Sequence, residues 1–434
     1  MKSELRLGIA GLGTVGANVA QLIERKSDLL AERVGRTIRV TAISARDRDR
    51  RRGFDTDGMA WFDDPLTLAR EAAIDAFVEL IGGSEGVVHE AVKAALERGI
   101  PVVTANKALL AHHGVELAKL AAANGTEILF EAAVAGGIPA IKTMREALSA
   151  NEVNRVYGIL NGTCNYILTR MEKEGIGFDA CLKDAQALGY AEADPTFDIG
   201  GYDAAHKLAI LTSLAFGTEI SLESIFVEGI SRITIADILA ASELGYRIKL
   251  LAVALRTDSG IEQRVHPAMI PARSALAQID GVTNAVAIDS DLLGSILLAG
   301  PGAGGAATSS AVLSDIMDVA GGFVPPTLGV PPARLQPYQR ARMRAHEGGY
   351  YIRLAVYDRV GAFASIANRM AENGISLESI VQRKADLKTG EGTAPVILVT
   401  HETTEAAIRA ALEALSKDGH LSGEPQMIRI EDLD

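Results

Sequence analysis

Only two cysteines, Cys164 and Cys181, occur in 434 residues, so no disulfide framework holds this chain together, and neither lies in a CxxC pair or a zinc-type cluster. A reducing compartment fits that shortage. No apolar run reaches the roughly eighteen residues of a membrane-spanning helix, and the opening "MKSELRLGIAGLG" turns glycine-rich too early for a secretory signal. The expected location is the cytoplasm, with no membrane partner. Positive charge is also in deficit: 43 Lys and Arg stand against 55 Asp and Glu, a formal net charge of −12. Nucleic-acid binding depends largely on basic side chains, so small molecules are the expected partners and nucleic acid is not. Against these absences, 48% of the residues are apolar, enough for a buried core, and the length suits two or three domains.

The first 134 residues alternate short β-rich runs with helical patterns. "LRLGIA" (5–10), "IRVTAIS" (38–44), "DAFVELIGG" (75–83), "IPVVTANK" (100–107) and "EILFEAAV" (127–134) read as strands. "VGANVAQLIERK", "VVHEAVKAALERG" and "ALLAHHGVELAKLAAANG" have helical spacing, and the last two close on glycine. Strands alternating with helices predict a parallel, doubly wound α/β sheet. From 135 to 305 that rhythm is lost, and an α+β domain with a mostly antiparallel sheet is expected. A second glycine cluster, "GPGAGG" (300–305), opens a small-residue helix, and 306–322 is assigned back to the nucleotide domain. The stretch 323–337 holds five of fourteen prolines, which predicts a stiff, extended linker through 344. The remainder, 345–434, has the order β-α-β-β-α-β of the ferredoxin-like split βαβ unit.

"GLGTVG" (11–16) follows a strand and opens a helix, the context that gives a GxGxxG match its meaning. Gly11 permits the tight turn, Gly13 admits a pyrophosphate, Gly16 allows close helix–strand packing, and Thr14 and Val15 begin the helix whose N-terminus favours anions. The second strand ends on Ser44, Ala45 and Arg46 where an NAD site usually carries an acid. Arg46 can bind the 2′-phosphate of NADP, so NADP is the expected cofactor, with NAD as the alternative. Arg48 to Arg52 are interleaved with aspartates and read better as a solvated loop. At the carboxyl ends of the following strands stand Ser84, Thr104 and Lys107, then Glu131; Lys107 reads equally well as a snorkelling surface lysine.

"EADPTFDIGGYDAAHK" (192–207) gathers Glu192, Asp194, Asp198 and Asp203 ahead of Lys207. The helical spacing of "YDAAHKLAILTSLAF" puts Asp203 and Lys207 one turn apart. On a solvated surface such a pair contributes only about 0.2–0.5 kcal/mol, but the almost uncharged helix that follows implies burial. A lysine held there by carboxylates can donate a proton, and the carboxylates can hold an ammonium group, which points to an amino-acid substrate. A divalent cation is disfavoured, because the spacing is not that of a calcium loop.

Together these motifs resemble homoserine dehydrogenase. "GLGTVG", "VVTANKALLA", "EAAVAGGIPAIKTMREAL", "GILNGTCNYIL", "EADPTFDIGGYDAAHKLAIL" and "GPGAGGAATSSAV" stand in the family's order, and the final unit is similar to an ACT domain. The resemblance implies a monofunctional enzyme with a Rossmann-type nucleotide domain and a substrate and dimerisation domain. It would interconvert L-aspartate 4-semialdehyde and L-homoserine with NAD(P), in threonine, methionine and isoleucine biosynthesis. It implies Lys207 as proton donor, Lys107 as a second lysine near the nicotinamide, and Glu192 and Asp203 as substrate holders supported by Asp198 and Asp194. Gly302 and Gly304 are implied at the cofactor. A sodium ion is implied at Glu131, Val134, Gly136 and Ile138, mainly through backbone oxygens. Asp358 and Gly361, in "DRVGAF", mark where an ACT domain takes an amino-acid effector such as threonine. A homo-oligomer, dimer or tetramer, is implied as well.

Two other readings compete. Cys164, at an expected helix N-terminus, could serve as the nucleophile of a semialdehyde dehydrogenase; a packed cysteine is the better account of its apolar surroundings. Alternatively the C-terminal unit could make the chain a non-catalytic amino-acid sensor.

Overall fold

The computed structural model describes residues 3–341, 347–357, 359–382 and 393–433. Its N-terminal sheet is built from β1 (Glu4–Ala10), β2 (Thr37–Ser44), β3 (Ala60–Phe62), β4 (Ala76–Glu79), β5 (Val102–Thr104) and β6 (Ile128–Leu129). All six are parallel, in the order β3-β2-β1-β4-β5-β6. This is the doubly wound order whose reversal beside β1 opens a crevice at the strands' carboxyl ends. The strands are apolar on both faces because both are covered. On one side Val19 and Ile23 of the helix Thr14–Arg25 share a core with Val312 and Ile316 of the helix Gly305–Gly321. On the other, Leu68, Ala91 and Leu109 come from the helices Pro65–Glu71, Val87–Glu97 and Lys107–Ala123.

Three strands are shorter than their apolar patterns predict; β5 keeps only Val102–Thr104 because Asn106 caps the helix that starts at Lys107. β4 stops at Glu79, whose buried carboxylate accepts hydrogen bonds from Ile81 N and Gly82 N and so curls the chain away from the sheet. β6 stops at Leu129, and Glu131–Ala133 form a 3₁₀ turn whose first N–H is taken by Asp315 of the distant helix. β3 has no sequence signal, since three residues carry no period.

Among the described residues the second sheet has ten strands, one of them the two-residue Phe226–Val227 lying parallel beside Gly260–Pro271. Gly294–Pro301, Thr283–Ser290, Val153–Ile159, Tyr246–Thr257 and Gly260–Pro271 run antiparallel in that order. A short parallel step, Ala268 beside Arg429 and Met269 beside Ile430, then joins the C-terminal strands Gln426–Ile430, Tyr350–Tyr357, Thr393–Thr400 and Leu377–Gln382. These four keep the ferredoxin-like antiparallel order, with the helices Ala362–Glu372 and Glu405–Lys417 closing a separate core. The C-terminal unit is therefore not a bead on a string: it continues the substrate-domain sheet.

The proline-rich segment includes a 3₁₀ turn at Pro332–Arg334 and is bonded along its length rather than spanning open space; residues 342–344 of the expected linker lie outside the described residues. Thr327 takes the β6 amide of Ile128 and donates to Glu127. Further on, Glu219 N bonds Gln336 O, and Ile261 N bonds Gln339 O. Among the described residues no helix is long and apolar enough to cross a membrane.

At the seam between the two halves of the large sheet, Asp237 is fully buried. It accepts from Arg353 Nε at 2.7 Å, from Tyr351 at 3.2 Å and from Thr234 N at 2.9 Å. Removing one partner of such a pair strands the other charge, a loss of about 3–5 kcal/mol. Asp237→Ala should therefore reduce amide hydrogen-exchange protection in the strand Tyr350–Tyr357 while sparing β1; unchanged protection would show that the apolar seam alone holds the C-terminal unit.

Candidate active site

The glycine loop is tightly packed on one side and open on the other. Gly11 has φ +97°, and a Cβ there would stand 2.5 Å from Leu80 O; one on Gly16 would stand 1.9 Å from Gly11 O. A Cβ on Gly13 would meet nothing within 4 Å, so the backbone faces open space, and no side chain caps the helix that starts at Thr14. Its amides are left for an anion. After β2, Arg46 is exposed, and Arg48 and Arg52 place their guanidinium groups 5.6 and 5.4 Å from the Trp61 ring. Ser84 is half-buried in the loop beyond β4. Thr104 is buried and faces inward: it donates to Glu79 at 2.6 Å and accepts from Asn106 N. Asn106 in turn caps the next helix through Leu109 N and holds Gly83 O, so Lys107 is delivered at a fixed helix start.

The second wall comes from the helix Tyr202–Phe216, entered through Gly201 at φ +86°. Asp203 and Lys207 are both buried on its first turns. Lys207 Nζ donates to Asp203 Oδ2 at 2.7 Å and to the Leu160 carbonyl at 2.6 Å. The other oxygen, Asp203 Oδ1, lies 3.2 Å from Lys107 Nζ. Asn161 completes the cluster: its amide donates to Asp203 at 2.9 Å and to Asp198 at 2.8 Å, and its oxygen caps the helix Gly162–Glu174 at Cys164 N. Burial works against the Asp203 charge, but Lys207 and Lys107 outweigh it and hold the carboxyl below its usual range. Asp198, with no lysine in direct contact, is raised by burial and then by the charge of Asp203.

These groups face a cavity of about 710 Å³ between the two domains. Its lining includes Lys107, Lys207, Asp198, Asp203 and Asn161, with Glu192 at an exposed rim. Val15, Gly302 and Gly304 line the side toward the dinucleotide loop, as does Gly136. Close approach explains two of these glycines: a Cβ on Gly136 would lie 2.3 Å from Gly302 O, and one on Gly302 would lie 2.0 Å from the Asn284 side chain. Gly11, Gly13, Thr14, Gly16, Arg46, Ser84 and Thr104 are not among the lining residues. Nor is Asp194, whose carboxylate accepts from Thr196 N.

Below the cavity floor, both oxygens of Glu131 accept backbone N–H groups, from Ile141 and Lys142. Burial raises Glu131 to about 7 and Asp315, nearby, also to about 7. Val134 and Ile138 are buried, and the backbone turns through positive φ at Ala135 and Gly136. Gly361 sits at φ +93° before the helix Ala362–Glu372; Asp358 lies outside the described residues.

Comparison with known proteins decides the family. Family models for "Homoserine dehydrogenase", its NAD-binding domain and the ACT domain match residues 139–317, 11–131 and 350–418. Homoserine dehydrogenase of Pseudomonas aeruginosa is 45% identical over 99% of both chains. The chain belongs to the homoserine dehydrogenase family. That of Neisseria gonorrhoeae is 42% identical, again over 99% of each chain. The crystal structure of a homoserine dehydrogenase from Thiobacillus denitrificans superposes with a TM-score of 0.92 at 42% identity, covering 99% of each chain. A hyperthermophilic archaeal homoserine dehydrogenase in complex with NADPH covers 73% of this chain and 97% of its own, with a TM-score of 0.63 at 30% identity. The chain is thus an NAD(P)-dependent oxidoreductase, which removes the non-catalytic sensor as an account of it.

Family membership also leaves the Cys164 reading without support. Cys164 is fully buried, its thiol meets the Asp198 carbonyl, and burial followed by the charges of Asp198 and Asp203 pushes its pKa well up, the reverse of activation. Sequence reasoning passed over Asn161 and Asn284. Each acts across a long chain separation: Asn284 donates to the same Leu160 carbonyl that receives Lys207. The one legible signal was Asn161 standing as an N-cap before a helix.

His206, next to Lys207, packs edge-on against Phe197 and His112. Burial, then His112 and Lys107, lowers its pKa to about 4. A histidine whose folded pKa lies below its unfolded value of about 6.5 contributes fully above that value, and the contribution is lost as pH falls toward 4. His206→Gln should therefore lose less stability relative to wild type at pH 5 than at pH 7.5, as read by chemical denaturation. An NMR titration midpoint near the unperturbed value would contradict the burial account.

Proposed function

We propose that the enzyme reduces L-aspartate 4-semialdehyde to L-homoserine reversibly, in the cytoplasm, within threonine, methionine and isoleucine biosynthesis, with NADP as preferred carrier and Lys207 as proton donor. One observation carries this reading. The Lys207 ammonium spends two of its three N–H groups on fixed acceptors, Asp203 and the Leu160 carbonyl, at the wall of the cavity. The third is left for a substrate oxygen. Gly11, Gly13 and Gly16 would hold a nicotinamide dinucleotide, which when bound would supply hydride to the aldehyde carbon in reduction and accept it from the alcohol carbon in oxidation; the chain itself orients, binds and moves a proton. In the reducing direction Lys207 Nζ gives its proton to the oxygen that becomes the alcohol, and in the oxidising direction the neutral amine takes it back.

Asp203 is assigned to hold the two lysines, because its oxygens already engage Lys107, Lys207 and Asn161. Lys107, one-third exposed, is assigned to the substrate and nicotinamide side. Asp198 and Glu192 remain for the substrate ammonium, while Asp194 supports the loop that carries them. Gly13 and the uncapped helix behind it suit the pyrophosphate, and Arg46, exposed just past β2, suits a 2′-phosphate. For a sodium ion, the successive positive φ angles at Ala135 and Gly136 suit backbone carbonyl ligands near Glu131, Val134, Gly136 and Ile138. The ACT unit is assigned an amino-acid effector such as threonine near Gly361, and the outer strand Gly294–Pro301 a contact between copies in a dimer or tetramer.

Purified protein with L-homoserine should reduce NADP faster than NAD. Lys207→Ala should lower kcat by about 10²- to 10⁴-fold with the fold intact by circular dichroism; an unaffected rate would end the proton-donor role. Arg46→Ala should raise KM for NADP by about tenfold and leave KM for NAD unchanged. Equal effects on both cofactors would place Arg46 outside the 2′-phosphate site.

A further inference from the structure

Four of the eight histidines stand in a line across the helix Lys107–Ala123. His89 stacks on His113 with ring centroids 4.3 Å apart, His113 neighbours His112, and His112 meets His206. At the His89 end, two imidazole nitrogens converge on one carboxylate oxygen: His89 Nε2 lies 3.8 Å and His113 Nδ1 3.9 Å from Glu116 Oε2. The three residues come from two packed helices. His89 is in the first turn of Val87–Glu97, and His113 and Glu116 share one face of Lys107–Ala123 at i and i+3.

Three further details fit an ion rather than a chance cluster. His89 Nε2 is shielded from solvent, makes no hydrogen bond and faces Glu116 Oε2, so its ring nitrogen is available to an ion at that point. His113 uses its other nitrogen, Nε2, on Glu85 Oε1 at 2.8 Å, the carboxylate behind an imidazole that fixes the tautomer of a metal-ligating histidine. Lys93 reaches Glu116 through the opposite oxygen, Oε1, at 3.5 Å, which leaves Oε2 to the histidines. The donor atoms all lie within 4.8 Å of one another. Tetrahedral zinc, with bonds of about 2.0–2.2 Å, spaces its ligand atoms by about 3.3–3.6 Å, so ring rotations that close roughly an ångström complete the site.

We propose that His89, His113 and Glu116 bind a divalent transition-metal ion of the zinc class, with Glu85 as the outer partner of His113. Two nitrogens and one oxygen suit zinc or cobalt, whereas calcium and magnesium take oxygen ligands. The bound ion ties the first turn of one helix to the helix that begins with Lys107. Through Glu85 it also ties in the loop that carries Ser84.

The test is titration of untagged, EDTA-stripped full-length protein with Co²⁺, followed by visible absorption, and with Zn²⁺, followed by calorimetry. One ion per chain is expected, with the absorption of four-coordinate cobalt. His89→Gln, His113→Gln and Glu116→Gln should each weaken binding more than tenfold, and Glu85→Gln by about 10- to 100-fold. His401→Gln, remote in sequence and outside the cluster, should bind as wild type does. If a variant at His113 misfolds, Glu116→Gln carries the test, since that side chain is 53% exposed. Absence of stoichiometric binding by folded wild type, or wild-type affinity in both His89→Gln and Glu116→Gln, overturns the site.

Discussion

The Asp203 carboxylate, buried between two ammonium groups, is the constraint on which the site depends. One oxygen faces Lys107, which begins a helix of the nucleotide domain, and the other faces Lys207, which lies on a helix of the substrate domain. A buried carboxylate is costly without partners, so this one commits two domains to a single relative placement. Asn161 adds a donor from a third element and reads the same carboxylate while capping its own helix. Lys207 is therefore positioned by groups separated from it by up to 47 residues in sequence, and its remaining N–H direction is set by the fold.

Glycine close approach does for the cavity's other wall what charge does for this one. Gly136 and Gly302 bring two backbones together at distances that a Cβ would forbid. That contact seats the loop after β6 against the strand-to-helix turn that leads into Gly305–Gly321. The same helix returns to cover β1 and supplies Asp315 to the Glu131 amide. Glycine loop, cavity floor and domain crossover are thus one packed unit.

The C-terminal ACT unit is mechanically continuous with the substrate domain. A parallel strand pair and the buried pairs Arg353 with Asp237 and Arg264 with Glu431 cross the seam. The same sheet's other members support the helix that carries Asp203 and Lys207. The proline-rich strap adds a second route, being bonded both to β6 and to the strand Gly260–Pro271. The first runs through the Thr327 hydroxyl and the second between main-chain atoms, and composition encodes neither.

The sequence by itself determined the α/β rhythm, the glycine loop, the ferredoxin-like tail and the Asp203 and Lys207 pair, because each depends on local spacing: period two in strands, 3.6 in helices, and glycine where a tight turn requires it. It did not determine where β4 and β6 end, because buried carboxylates at Glu79 and from Asp315 terminate them through bonds that no local pattern announces. Nor did it choose between a surface and a cavity role for Lys107, or separate Asp203 from Asp194 within one acidic stretch. Tertiary structure decided these. The charge of a side chain is legible in sequence, but its dielectric surroundings and its partner are set by elements far apart in the chain, and those alone decide whether a carboxylate caps a turn in solvent or bridges two lysines in a buried site.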